Sequence, residues 1–175
     1  MPAIKILQYP NPLLREKSHN IESFGEPERK LIRDLIDTMR ANPAVGLAAV
    51  QIGFLKRIIA VDVTPKSPGH GLIVLINPQI IESGGFKKTV REGCLSIPQY
   101  TADIKRSEAV TVKGLNENGT AVEIHSSGFE AVALQHEIDH LDGILFIDRI
   151  ESIKSLFKRK AAYTASLPFS HDQKK

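Results

Sequence analysis

The chain has 175 residues, 42% of them apolar and 25% charged, with a single cysteine and a formal charge of +3. That length suits one compact domain, a lone thiol excludes an internal disulfide and fits a reducing compartment, and so small a charge does not by itself imply nucleic-acid binding. The start, Met1-Pro2-Ala3-Ile4-Lys5, holds no long apolar run, so neither a signal peptide nor a membrane span is expected and a cytoplasmic location follows.

In chain order, Pro27 opens a predicted helix in which Leu31, Ile32, Leu35, Ile36 and Met39 recur at helical spacing, and Asn42-Pro43 ends it. Strands are predicted at about 58–63 and 72–77, separated by a polar, Pro- and Gly-rich surface loop over 64–71. Two further strands, at about 109–115 and 120–125, flank Asn116-Glu117-Asn118-Gly119 and read as a hairpin, with His125 facing solvent. A helix over 128–141 follows, stopped by Asp142-Gly143, and another is predicted over 152–165, ending near Pro168. The expected fold is α+β: one domain over 1–168, with antiparallel strands wrapped around a central helix and a C-terminal helix beyond it. A polar tail over 169–175 is expected to be disordered.

The central helix carries the densest chemistry. Residues four apart lie one turn above each other, so His136 and His140 can bind one ion while Glu137 points toward its open side. A metal there lowers the pKa of a bound water toward neutrality, and a neighbouring Glu can take that water's proton and later hand it to a leaving amine. The alternative is a solvated helix face with two unrelated histidines, either of which also reads as a satisfied structural residue. Val132, Ala133 and Leu134 before the pair, with Ile138 and Leu141 among it, make this a mostly buried amphipathic helix whose inward polar groups need partners.

Catalytic sites of this kind take three protein ligands and leave one position open. Downstream, Asp148, Glu151 and His171 are available. Cys94 is the other candidate, although a lone cysteine is most often a small buried apolar residue. Its setting, Arg91-Glu92-Gly93-Cys94-Leu95-Ser96-Ile97-Pro98, argues for more, because Gly93 permits close backbone approach and Glu92 and Ser96 are unusual company for a core thiol. Two imidazoles and a thiolate suit Fe(II), Zn(II), Co(II) or Ni(II) and disfavour Mg(II) or Ca(II).

At these residues the sequence resembles the peptide deformylase family. Three blocks match in the family's order: Gly46-Leu47-Ala48-Ala49-Val50-Gln51-Ile52-Gly53, Glu92-Gly93-Cys94-Leu95-Ser96 and Gln135-His136-Glu137-Ile138-Asp139-His140. The opening Ile6-Leu7-Gln8-Tyr9-Pro10-Asn11-Pro12-Leu13-Leu14-Arg15 also looks like that family's first strand and turn, so the resemblance spans nearly the whole chain.

The resemblance implies removal of the N-formyl group from the initiator methionine of nascent bacterial-type polypeptides, with release of formate. By similarity, Cys94, His136 and His140 hold one divalent metal, natively Fe(II), with Zn(II), Ni(II) or Co(II) as substitutes. Glu137 is the general base and then acid, and the Gln51 side-chain amide and the Leu95 backbone N–H are the donors to the developing oxyanion, each worth a few kcal/mol of barrier. Gly46 and Gly93 would let a peptide pair with the backbone like an added strand. Val45, Phe129, Val132 and Ala133 are candidate walls of the methionine slot, each equally explicable as core; Val132 and Ala133 sit one turn before the ligand histidines. Glu92 and Asp139 read as groups that orient the histidines rather than as ligands.

The chain departs from the family pattern at Ala44, where Gly is common, at Val50, where Pro or Thr is common, and at Thr101, where many members carry Arg. These changes are expected to alter efficiency or peptide preference rather than the chemistry. Lys154, Lys158, Arg159, Lys160, Lys174 and Lys175 crowd the C-terminal end, which reads as a solvated face or as a weak, salt-sensitive contact to the ribosome by a monomeric enzyme. Two rivals share the helix: a zinc endopeptidase with a His or Glu third ligand, and a structural metal closed by a fourth protein ligand. Neither accounts for Gln51 within its Gly-rich block.

Overall fold

The computed structural model describes residues 3–160. The elements run α1 (Glu26–Arg40), β1 (Gly46–Ala48), β2 (Ile58–Val61), β3 (Ile73–Cys94), β4 (Ile97–Leu115), β5 (Ala121–Ser127), α2 (Gly128–Leu141) and β6 (Leu156–Lys158). All the strand pairings are antiparallel, in the order β1-β2-β3-β4-β5, with β6 added to β4.

The β3–β4 hairpin dominates the sheet. Both strands extend well beyond the apolar stretches that mark them in sequence, because their middle is solvated: residues 79–89 of β3 are exposed and carry no apolar alternation to read. Register shifts, including one between Gly84 and Lys87 where Gly85 takes φ +76°, bend the hairpin. One end therefore pairs with β2 and β5, and the other closes at Cys94↔Ile97 through the two-residue turn Leu95-Ser96.

α2 lies inside this wrapping. Val61, Leu75, Val112, Leu134, Ile138 and Leu141 form one core layer between helix and sheet. On the sheet's other face, Leu35 and Met39 of α1 pack with Leu47, Ile58 and Ile76. A third cluster, with Leu14, Ile97, Ile104 and Phe146, lies beneath Cys94. Every α2 residue from Glu130 to Leu141 is buried, so the helix is enclosed on all sides rather than amphipathic as its sequence suggests. Its polar residues must all find partners in the interior.

Two further sequence expectations change. The helix over 152–165 is replaced, as far as residue 160, by a 3-10 turn (Ile153–Ser155) and β6; the remainder lies outside the described residues, as do the tail over 169–175, His171, Lys174 and Lys175. β4 offers a free edge at Tyr100 to Ala102, and three ladder pairs there win over the helical periodicity. The opening segment forms the expected turn (Pro12–Arg15) but no strand; it is tied down by Leu7 N–H to Gln51 O and Tyr9 N–H to Ser96 O, both 2.8 Å.

Candidate active site

Three elements converge on one cavity. α2 supplies His136, Glu137 and His140; the turn closing the β3–β4 hairpin supplies Cys94; and the 3-10 turn Ala49–Ile52 supplies Gln51. Ligand atoms of Cys94, His136 and His140 all lie within 4.8 Å of one another, and all three residues are buried. Cys94 Sγ is 3.2 Å from His140 Nε2, and the two imidazoles sit edge to face with centroids 5.0 Å apart.

Charge favours the thiolate form of Cys94 in this cluster. Burial pushes the Cys94 thiol up, but the His140 and His136 imidazoles more than offset it and hold the thiol well below its usual range. Sγ also accepts from Ser96 N–H and Gln51 Nε2, each at 3.4 Å. His136 donates through Nδ1 to Glu92 Oε2 at 2.7 Å, which leaves its other nitrogen for the cluster. Burial would raise the Glu92 carboxyl; His136 and Arg106 instead hold it down at about 2. Arg106, itself buried, donates to Glu92 at 2.6 and 3.0 Å and to Asp139 at 2.6 Å. Glu92 and Asp139 are thus partners of the cluster rather than members of it.

Glu137 differs from every other acid here. Burial raises its carboxyl to about 7, with Cys94 and Glu92 adding to the rise and the two imidazoles opposing it. Its Oε2 and His140 Nδ1 are buried without a hydrogen-bond partner among the described residues. A buried cysteine–imidazole trio with such orphaned atoms beside it fits a borderline divalent metal and a reacting water better than a self-satisfied core. Asp148 is committed to Arg15 and the Leu145 N–H, and Glu151 to Lys105, so neither acid completes the cluster. No fourth protein ligand joins the three among the described residues.

The Gln51 amide is oriented by its own loop. Oε1 accepts from Ala48 N–H at 2.8 Å, which turns Nε2 toward Cys94 and Ser96 Oγ, the latter at 3.1 Å. The same cavity is lined by Val45, Gly46, Gly93, Leu95, Phe129, Val132, Ala133, His136 and Glu137, so the candidate slot walls and oxyanion donors share one space; His140 stands behind this lining. A Cβ on Gly46 would come within 2.5 Å of Glu137 Oε1.

Sequence reasoning missed Arg106, Lys66 and Arg91, and read Arg159 only as part of the basic C-terminal face. The last three also line the cavity. Arg106 had a signal: Ala102, Ile104 and Arg106 alternate inward on β4, and a buried guanidinium requires carboxylates. Lys66 and Arg159 come from loop and edge segments with no periodicity to read.

The polypeptide deformylase family model matches residues 3–156. The chain belongs to the polypeptide deformylase family. It is 48% identical over 161 residues to the peptide deformylase of Thermodesulfovibrio yellowstonii, covering 91% of this chain and 97% of that one. Among solved structures, the Legionella pneumophila peptide deformylase is 40% identical with a TM-score of 0.81, covering 87% of this chain and 89% of its own. A class I type b peptide deformylase from Acinetobacter baumannii, described with Met-Ala-Ser bound, is 32% identical with a TM-score of 0.80 over 85% of this chain and 98% of its own. The family is a metal-dependent hydrolase family, and the buried Cys94, His136 and His140 form a group that could hold a metal ion. No helix among the described residues is long and apolar enough to cross a membrane.

Proposed function

We propose that this chain removes the N-formyl group from the initiator methionine of nascent polypeptides, with Cys94, His136 and His140 holding one divalent ion. The observation that carries the reading is Glu137: a carboxylate buried beside the Cys/His/His cluster, its Oε2 unpaired and its acidity tuned to about 7. That value lies where a group can both take and return a proton near neutral pH. A bound divalent ion supplies Lewis acidity and makes a water acidic enough to react at neutral pH.

The protein's own groups do the rest. Glu137 accepts the proton of the attacking water as its oxygen bonds to the formyl carbon. The Gln51 Nε2–H and the Leu95 N–H donate to the carbonyl oxygen as it gains charge. When the carbon–nitrogen bond breaks, Glu137 returns the proton to the methionine nitrogen, leaving a free amino terminus and formate. The peptide main chain lies against the strand edges at Gly46 and Gly93, whose missing side chains leave space for Glu137 and Arg159, and Val45, Phe129, Val132 and Ala133 enclose the methionine side chain.

Fe(II) is the native ion in this reading, with Zn(II), Ni(II) and Co(II) as working or stable substitutes, since a thiolate–bis-imidazole set accepts all four. The enzyme acts as a cytoplasmic monomer, and the exposed Lys154, Lys158 and Lys160 give a weak, salt-sensitive contact to the ribosome. The test is formate release from formyl-Met-Ala-Ser by protein loaded anaerobically with Fe(II) or Ni(II). Turnover supports the reading; folded, fully metallated protein that releases no formate removes it.

A further inference from the structure

The loop over 64–71 reaches the cavity through Lys66, and both of its ends are fastened beside candidate walls of the methionine slot. At its start, Asp62 N–H donates to Val45 O at 2.8 Å, and the Asp62 carboxylate accepts from Thr64 N–H at 3.0 Å and Thr64 Oγ1 at 2.6 Å. A tight turn follows, in which Lys66 N–H and Ser67 N–H both donate to Val63 O at 2.8 Å. At its end, Glu130 in the first turn of α2, next in the chain to Phe129, accepts from His70 N–H at 2.8 Å and from the His70 ring Nδ1 at 2.6 Å.

This second fastening is built around a buried carboxylate. Glu130 is 3% exposed, and Ser126 Oγ donates to its Oε1 at 2.8 Å, so both of its oxygens are occupied and neither can swing aside. The backbone of Gly69 closes directly on it: a Cβ there would lie 2.5 Å from Glu130 Oε2 and 2.7 Å from Val63 Cγ2. Burying an acid is costly unless donors surround it, and here the donors include the backbone and side chain of an otherwise exposed loop. The clasp therefore fixes where that loop meets the cavity, and a loop held by so few contacts moves when one is lost. Lys66, Val45 and Phe129 line the same space, whereas the reacting groups His136 and Glu137 come from further along α2. Loss of the clasp should bear on the grip of the substrate side chain and leave proton transfer in place.

We propose that Glu130 is a positioning residue for methionine recognition: by clasping Gly69 and His70 it holds loop 64–71 against the slot, so that Lys66 closes the rim beside Val45 and Phe129. The inference rests on the deformylation reading above and adds to it a determinant of side-chain fit that lies outside the three matched sequence blocks.

The experiment measures kcat and KM for formyl-Met-Ala-Ser and formyl-Ala-Ala-Ser, the second of which leaves the slot unfilled. Metal-loaded wild type is compared with Glu130→Gln, whose amide turns a donor toward one of the present donors, with Gly69→Ala and with His70→Ala; Glu123→Gln, an exposed acid on β5, is the control. Glu130→Gln and Gly69→Ala should raise KM for the methionine peptide about tenfold with kcat within about twofold, and His70→Ala, which keeps its backbone donor, about threefold. The methionine-to-alanine ratio in kcat/KM should fall by the same factors, and Glu123→Gln should leave it alone. Because Glu130 adjoins Phe129, the two loop variants separate an effect of the loop from one of the helix, and they answer the question even where Glu130→Gln does not fold. Calorimetric binding of the product peptide Met-Ala-Ser to metal-loaded wild type and His70→Ala gives a second readout without turnover, about threefold weaker in the variant. An unchanged KM and methionine-to-alanine ratio in both loop variants overturns the proposal. So does a fall in kcat with KM unmoved, which would make the clasp a support of the metal cluster alone. If wild type cleaves no formyl peptide at all, the deformylation reading fails, and the calorimetric comparison still judges the clasp: equal binding by the two proteins, or none by wild type, removes it.

Discussion

Replacing Glu92 with Gln tests how the interior supports the metal cluster. The substitution keeps the shape and removes the charge, so the Arg106 guanidinium loses an ionic partner that accepts two of its N–H groups, and His136 Nδ1 loses a carboxylate acceptor. A carboxyl held at about 2 instead of 4.5 corresponds to about 3 kcal/mol of folded-state preference for the charged form. Breaking one side of a buried ion pair independently suggests about 3–5 kcal/mol, because Arg106 stays buried with Asp139 alone. Since the folded pKa lies below the unfolded one, this contribution is complete above about pH 4.5 and disappears as pH falls toward 2. The assay is urea unfolding of metal-free protein at pH 7 and pH 3, followed by chelator competition for the metal. Glu92→Gln should lose about 3 kcal/mol at pH 7 and much less at pH 3, and should bind metal about 10–100-fold more weakly. A loss below about 1 kcal/mol at pH 7 with unaltered metal affinity would refute the reasoning.

Gly46→Ala places a methyl within 2.5 Å of Glu137 Oε1 and 2.8 Å of its Cγ, so the carboxylate must move. Turnover should fall about 100-fold while metal content stays the same, a split read by formate assay beside elemental analysis. Glu130 is a further buried acid, accepting from Ser126 Oγ at 2.8 Å, His70 N–H at 2.8 Å and the His70 ring at 2.6 Å. Burial opposes its ionisation, yet these partners hold its carboxyl below the usual range. Glu130→Gln should therefore cost about 1–3 kcal/mol at pH 7, less below about pH 4.5, and should loosen loop 64–71 in hydrogen exchange.

The sequence was most informative where function and packing impose the same residues. α2 was legible to its ends, and Cys94, Gln51, Gly46 and Glu137 were all placed in one cavity as expected, because each sits in a short block whose local turn or helix positions it. α2 is mostly buried with its polar groups inward, as read from the sequence, but it is enclosed on all sides rather than amphipathic: its apolar residues join one core layer, and its polar residues are satisfied by distant partners such as Arg106, Glu92 and Ser107. The solvated middle of β3 was invisible because neither of its faces is buried. β6 was misread as helix because ladder pairing with β4 is a long-range effect, and the Arg159 contact with Gly93 depends on that same pairing. The position of Thr101, noted as a departure from the family pattern, lies directly opposite Gly93 in the hairpin and against this strand.

The central claim is that Glu137 carries the proton in hydrolysis supported by the Cys94, His136 and His140 cluster. Its most direct test is the single-turnover rate of formate release by Glu137→Gln protein, loaded with Ni(II) to the same metal content as wild type, on formyl-Met-Ala-Ser. Loss of the general base and acid should lower that rate about 10²–10⁴-fold with the metal retained. A fully metallated Glu137→Gln protein that releases formate at the wild-type rate would contradict the account.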